Sequence, residues 1–279
     1  MTSWRIATYN IRHGLGDDGR VDLTRTAQEI RALDADVIGL QEVDDRFGSR
    51  SEHQDQPALL AELLGMEVRY GATIDLAPLQ AGGSRRRYGL ALLTRHEILG
   101  HRLDLLPADP DQAPPSEPRG VLHGRIRHRD GGTLDVLVTH LSPVLRAHRA
   151  VQVQGILRLA RDLAGPAVLM GDVNTDPAAP ELAALAAGGW REAAAQTEAA
   201  RRRPAALRPL RRLVAALRRT GIVLGATHPS RFPLRRIDAL WVRGDAVVTA
   251  LAVGARGSSD HRPVVATVLS PAPTAAALD

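Results

Sequence analysis

The 279-residue chain has no cysteine, no lysine and only eight aromatic residues. It also has no apolar run approaching the ~20 residues that a membrane-spanning helix needs. Without cysteine there are no disulfides, no thiolate zinc sites and no cysteine nucleophile. Without lysine, all 36 basic residues are arginines, protonated at every accessible pH. So few aromatics leave little material for a stacking platform on single-stranded nucleic acid. The start, Met1-Thr2-Ser3-Trp4, runs directly into a strand pattern with no basic and apolar regions of a secretory signal. The expectation is a cytoplasmic protein.

The net charge of +5 and a sequence pI near 10.7 invite a nucleic-acid-binding reading. The excess is local, however. Residues 196–243 carry 12 arginines against 2 acids, and the rest of the chain carries 24 against 29. Within that window, 201–219 is almost all Arg, Ala and Leu. Leu210, Leu213, Val214 and Leu217 form one stripe, with Arg211, Arg212, Arg218 and Arg219 around it, which predicts a short basic amphipathic helix. Two readings stand side by side. It is a solvated face on a helix packed through its leucines, or an arm that collects anions from a nucleic-acid backbone or a membrane surface.

Short runs rich in Val, Ile and Leu recur from end to end: 4–11, 36–41, 88–94, 120–127, 133–141, 167–171, 237–242, 246–253 and 263–269. Gly, Pro, Asp and Ser clusters bound them, as expected of strands. Helical patterns are predicted over 22–33, 56–65 and 148–164. No linker divides the chain, so a single domain over 1–270 is expected. It would hold two packed sheets with helices outside, an Arg-rich insert at about 198–222 and a disordered tail at 271–279.

The informative feature is what ends each strand. The runs deliver Asn10, Gln41-Glu42, His140 and Asp172-Val173-Asn174, while Asp238 opens one strand and Ser258-Ser259-Asp260-His261 precedes the last. One such residue is ordinarily a cap or turn former. Six strand ends of this kind point to a site, because functional groups in sheet proteins gather where strand ends converge. Carboxylates and carboxamides without thiolates suit a hard cation, Mg²⁺ or Mn²⁺. With two histidines beside them, they suit metal-assisted attack of water on phosphorus.

In chain order the segments ATYNIRHG (7–14), IGLQEVD (38–44), YGLALLTR (88–95), VTHLS (138–142), MGDVNTDP (170–177), RIDALWV (236–242) and SSDHRPVVA (258–266) resemble the endonuclease/exonuclease/phosphatase superfamily. The resemblance implies an α/β (α+β) fold, a four-layer αββα sandwich of two mixed sheets. It implies that Asn10 and Glu42 bind the metal, with Glu42 the principal ligand and Asp260 a further carboxylate on that side. Asp172 would orient or deprotonate water, and Asn174 would hold a phosphate oxygen or a second metal. His261 would face the scissile phosphate with Asp238 fixing its tautomer, and His140 would lie near the leaving group. Arg119, in Glu117-Pro118-Arg119-Gly120, resembles a phosphate-contacting position. The chain departs from the pattern at Val173, where an aromatic is usual, and at Leu90, where many relatives carry Asn. His13 and His228 read as turn and loop histidines without a catalytic role.

The function expected is a divalent-metal-dependent phosphoesterase, foremost a phosphodiesterase or nuclease. The alternatives are a phosphomonoesterase on inositol phosphates or nucleotides and a non-catalytic anion-binding module. Its partner would be a phosphoester, in nucleic acid or a phospholipid headgroup, and no obligate protein partner is inferred. The sequence shows no extended hydrophobic loop.

Overall fold

The structure, a computed structural model, describes residues 1–108, 117–201 (side chains to 197) and 225–272. The predicted amphipathic helix of the Arg-rich window and the tail from 273 lie outside the described residues.

Among the described residues, twelve strands form two six-stranded sheets. The first contains β1 (Thr2–Asn10), β2 (Val37–Asp45), β3 (Glu67–Leu76), β4 (Arg86–Thr94), β11 (Val247–Val253) and β12 (Val264–Ser270), in the order β11-β12-β1-β2-β4-β3. The second contains β5 (Glu97–Leu105), β6 (Gly120–Arg127), β7 (Thr133–His140), β8 (Ala167–Asp172), β9 (Arg191–Glu192) and β10 (Asp238–Arg243), in the order β5-β6-β7-β8-β10-β9. Each sheet has one parallel pair at its centre, β1 with β2 and β7 with β8, and every other described pairing is antiparallel. A parallel pair needs a crossover. Helix α1 (Leu23–Ala32) supplies one and α3 (Arg146–Leu159) the other.

Alternation along the strands sorts the core into three layers. Trp4, Ile6, Val136, Val138, Val168 and Met170 face the other sheet. Ala7, Tyr9, Ile38 and Leu40 face outward onto α1 and α2 (Gln56–Leu64). Leu137, Ala167 and Leu169 face outward onto α3 and α4 (Ala183–Ala187). The layers are helix, sheet, sheet, helix. Leu90 is buried between the sheets, so it packs apolar surface where a carboxamide would need partners. Val173 is buried on the outer side.

Local chemistry fixes the helix ends. Asp22 caps α1 by accepting from Arg25 N (2.9 Å), and Asp55 caps α2 by accepting from Ala58 N (3.1 Å). Helix α3 stops at Leu159, short of the expected 164. Amide bonds Arg161 N to Arg158 O and Leu163 N to Ala160 O tighten the chain into turns ahead of Gly165-Pro166. Strands β3 and β9 lie outside the predicted runs, and β5 falls without a run of its own inside 84–142, a stretch whose sequence reads as mostly strand. β3 and β5 lie at sheet edges, and most of their residues are at least partly exposed. Edge strands carry polar residues that erase the apolar signal. β9 is two residues long.

Candidate active site

Parallel pairing brings the ends of β1 and β2 to the same pole as those of β7 and β8. In register, Asn10 lies beside Gln41, His140 beside Asp172 and Asp172 beside Asp238. His140, Asp172 and Asp238 therefore form one row across three neighbouring strands. Glu42 enters through a bulge: the β2 register breaks between Leu40 and Val43, and Glu42 has φ 59°. A bulge re-aims a side chain that a regular strand would send elsewhere. Gly171 has φ 154°, and a Cβ there would lie 1.9 Å from Thr139 O. Only glycine can precede Asp172.

The loop before β12 is pinned to β1, where Ser259 Oγ donates to Asn10 O (2.7 Å) and accepts from His261 N (3.2 Å). That pin places His261 over the row. Its Nδ1 lies 2.9 and 3.2 Å from the two oxygens of Asp238, which is buried. Its Nε2 is 3.6 Å from Asp172 Oδ2. The same oxygen is 3.5 Å from His140 Nε2 and accepts from Asn10 Nδ2 (3.1 Å). Asn10 Nδ2 also donates to Glu42 Oε1 (2.9 Å), so one carboxamide links the carboxylates of the two sheets. Asp172 Oδ1 accepts from Asn174 N (2.9 Å), and Asn174 Nδ2 donates to Leu141 O (2.9 Å).

The environment separates the two imidazoles. Burial alone would lower His261, but Asp238, then Asp172 and Asp260, overcome it and hold the ring up at about 10. His140 is pushed well below its ordinary value by burial, then by the charges of Arg119 and His261. Asp172 is raised to about 7 by burial and by Asp238, with His261, Asn174 and Asn10 pulling the other way. At neutral pH the site holds an imidazolium, a neutral imidazole and a carboxyl close to its titration midpoint.

A cleft of about 300 Å³ opens over these groups, lined among others by Glu42, His140, Asp172, Asn174, His261 and Arg119. Its wall includes Phe47, Arg50 and Tyr88, to which the sequence reading gave no role. Arg50 pairs with both oxygens of Asp44 (2.9 and 2.7 Å). Its guanidinium carbon lies 4.5 and 5.2 Å from the Phe47 and Tyr88 ring centroids. Arg119 is buried, with Nη1 2.9 Å from Glu117 Oε1. His13 contributes its carbonyl, which accepts from Gln56 Nε2 (2.7 Å).

Among the described residues, two groups set three metal-ligating atoms within 4.8 Å of one another: Asp172 with Asp238 and His261, and His228 with Asp260 and His261. Glu42 belongs to neither and meets the first through Asn10. Asp260 is half-exposed, 3.8 Å from Arg12 Nε and 3.9 Å from His228 Nε2. His228, read as a loop residue, has its ring 4.8 Å from that of His261. The oxygen-rich, thiol-free donor set fits a hard divalent cation.

Residues 7–261 match the sequence pattern of the endonuclease/exonuclease/phosphatase family. The chain belongs to that family. Solved structures agree on the fold. The endonuclease/exonuclease/phosphatase from Beutenbergia cavernae is 26% identical, with a TM-score of 0.74 over 99% of this chain and 74% of that one. A Bacteroides thetaiotaomicron mannosyl-6-phosphatase is 19% identical (TM-score 0.66, 95% and 99% covered). A D. rerio TDP2 humanized by 14 mutations is 15% identical (TM-score 0.63, 96% and 98% covered). No curated protein matches. The family's members are generally phosphoesterase hydrolases, and the buried cluster of Asp172, Asp238 and His261 in this chain could hold a metal. Among the described residues no helix is long and apolar enough to cross a membrane.

Proposed function

We propose that the protein hydrolyses phosphodiesters with the help of Mg²⁺ or Mn²⁺. The observation that carries this reading is the convergence on Asp172 Oδ2 of two imidazoles, His140 and His261, and the Asn10 carboxamide. Asp172 orients a water and takes its proton as the water oxygen bonds to phosphorus. A carboxyl that titrates near the working pH suits that role. The His261 imidazolium, held by Asp238, donates from Nε2 to a phosphoryl oxygen as charge builds there. His140 and the Asn174 carboxamide place the ester. The bond to the leaving oxygen breaks, and that oxygen takes a proton from solvent through the open side of the cleft. Asp172 then returns its own proton to solvent. Glu42, Asp260 and Asn10 would hold the cation, which supplies charge neutralisation at the phosphate and the leaving oxygen.

The charge of the cleft favours a diester. Arg50 is committed to both oxygens of Asp44, and Glu117 lies 2.9 Å from Arg119, so the wall's positive charge is partly offset, which suits the single charge of a diester better than the double charge of a monoester. The fold is shared by TDP2 and by the mannosyl-6-phosphatase, so it does not itself choose between ester classes.

The test is hydrolysis of a DNA duplex, an RNA, bis(p-nitrophenyl) phosphate, a phospholipid and a sugar phosphate, each with Mg²⁺, Mn²⁺ or EDTA. Diester cleavage that EDTA abolishes is expected, with Asp172→Ala slower by about a hundred- to ten-thousand-fold. Turnover of the sugar phosphate with none of the diesters would replace this reading by the monoesterase. Wild-type rates for Asp172→Ala would remove the mechanism.

A further inference from the structure

Two short loops beside the cleft hold apolar side chains out in solvent. Ahead of β10 the chain folds back on itself. Leu234 N and Arg235 N donate to His228 O (3.0 and 2.8 Å), and His228 N donates to Arg235 O (3.0 Å). The tip is Arg231-Phe232-Pro233-Leu234, with Phe232 68% and Leu234 64% exposed. The Arg231 guanidinium carbon lies 5.6 Å from the Phe232 ring centroid. The second tip, residues 142–146, follows β7, with Val144 67% and Leu145 46% exposed. Its base is fixed: Ser142 N donates to Gln152 Oε1 (3.0 Å), and Arg149 Nη1 donates to Ser142 O (3.1 Å).

Asn174 joins the bases of both tips. Its Nδ2 donates to Leu141 O (2.9 Å), and its carbonyl accepts from Arg235 Nη2 (3.4 Å). The two tips therefore stand side by side on the rim of the cleft that Asn174 lines. Each sets two apolar side chains next to an exposed arginine: Arg231 in one, above Arg235 at its base, and in the other Arg146, whose Nε also lies 3.3 Å from Glu181 Oε2. Apolar side chains that can enter the acyl boundary, flanked by guanidinium groups at headgroup level, are the pattern of an interfacial anchor. Three of the four apolar groups are aliphatic, which neither stack on bases nor meet phosphates.

We propose that these tips dock the protein on an anionic lipid bilayer, so that the cleft meets a phosphodiester of a lipid headgroup. The substrate clause rests on the phosphodiesterase reading; the docking clause stands without it.

The experiment is co-sedimentation of the full chain with phosphatidylcholine vesicles, with or without phosphatidylserine at about one lipid in three. Two double variants accompany the wild type: Phe232→Asp with Leu234→Asp, and Val144→Asp with Leu145→Asp. Wild type is expected on the phosphatidylserine vesicles and not on pure phosphatidylcholine. Each variant should bind at least about ten-fold more weakly while keeping the wild-type melting temperature and rate on bis(p-nitrophenyl) phosphate. Variants that bind like wild type overturn the proposal, since the Arg-rich stretch 201–219 would then carry the binding or cover the tips. A wild type that retains duplex DNA but not vesicles overturns it as well. If binding follows the expected pattern while no diester is hydrolysed, docking stands and the phosphodiesterase reading fails.

Discussion

At opposite ends of the sandwich the fold places histidines together, and it treats them in contrary ways. β1 spans Thr2–Asn10, and at its Asn10 end His261 and His140 flank Asp172. At the Trp4 end, His96 and His128 pack with ring centroids 4.3 Å apart, and both meet the Trp4 ring edge-on at 5.5 and 5.0 Å. His261 faces the fully buried carboxylate of Asp238 and is raised. His96 is lowered by burial and then by His128, with Asp36 and Asp130 pulling up and Arg129 pushing down. The carboxylate of Asp130 is largely in solvent, where its field is screened. Between His261 and His96 the difference is the hydrogen bond to a buried carboxylate, since both rings are buried to some degree.

Removing that carboxylate should break the contrast most. In Asp238→Asn the His261 midpoint is expected to fall from about 10, because burial acts without its main counterweight. Turnover should drop by about a hundred-fold or more, since His261 would carry less charge and its Nδ1 would be less firmly oriented. Imidazole NMR titration with parallel kinetics checks both. An unmoved His261 would sink the assignment, and the signal of His96 should not shift.

A smaller effect should appear in stability against pH. With EDTA present, the raised His261 contributes stability that is full below about 6.5, its unfolded value, and lost as pH rises toward 10. The lowered His96 has the opposite sign: its contribution is full above about 6.5 and lost as pH falls below. Urea midpoints from pH 5 to 10 should therefore flatten on the alkaline side in Asp238→Asn and on the acid side in His96→Phe. The same limb flattening in both variants would contradict the division.

The smallest test lies at the Trp4 end alone. Trp4 Nε1 donates to Ser270 Oγ (2.9 Å) in the core. Ser270→Ala should cost about 1–3 kcal/mol in urea unfolding by leaving that donor unpaired, with turnover unchanged. A drop in turnover would mean that the two ends are coupled.

The central strands were legible because they are continuous apolar runs, Val136–Val138 and Val168–Met170 among them. The edges β3 and β5 were not, since their residues face water. Placement of the candidate site was legible for a related reason: Asn10, His140, Asp172 and Asp238 each sit where an apolar run begins or ends, and parallel pairing collects such ends. Phe47 and Arg50 come from a loop and acquire their position only through Asp44 and Tyr88. The two apolar tips are invisible to hydropathy because each is a pair of residues beside arginine. His228 read as an ordinary loop residue because nothing local shows that its loop folds back onto His261.

The carboxamide of Asn10 has a further consequence. It ties Glu42 to Asp172, and its partners in the two sheets stand 32 and 162 residues away in the chain. The first sheet joins the two ends of the chain, Thr2 with Ser270, and the second is built from its middle, 97–243. The clasp is therefore the point where ends and middle meet, and the return of turnover on refolding reports that all three are in register.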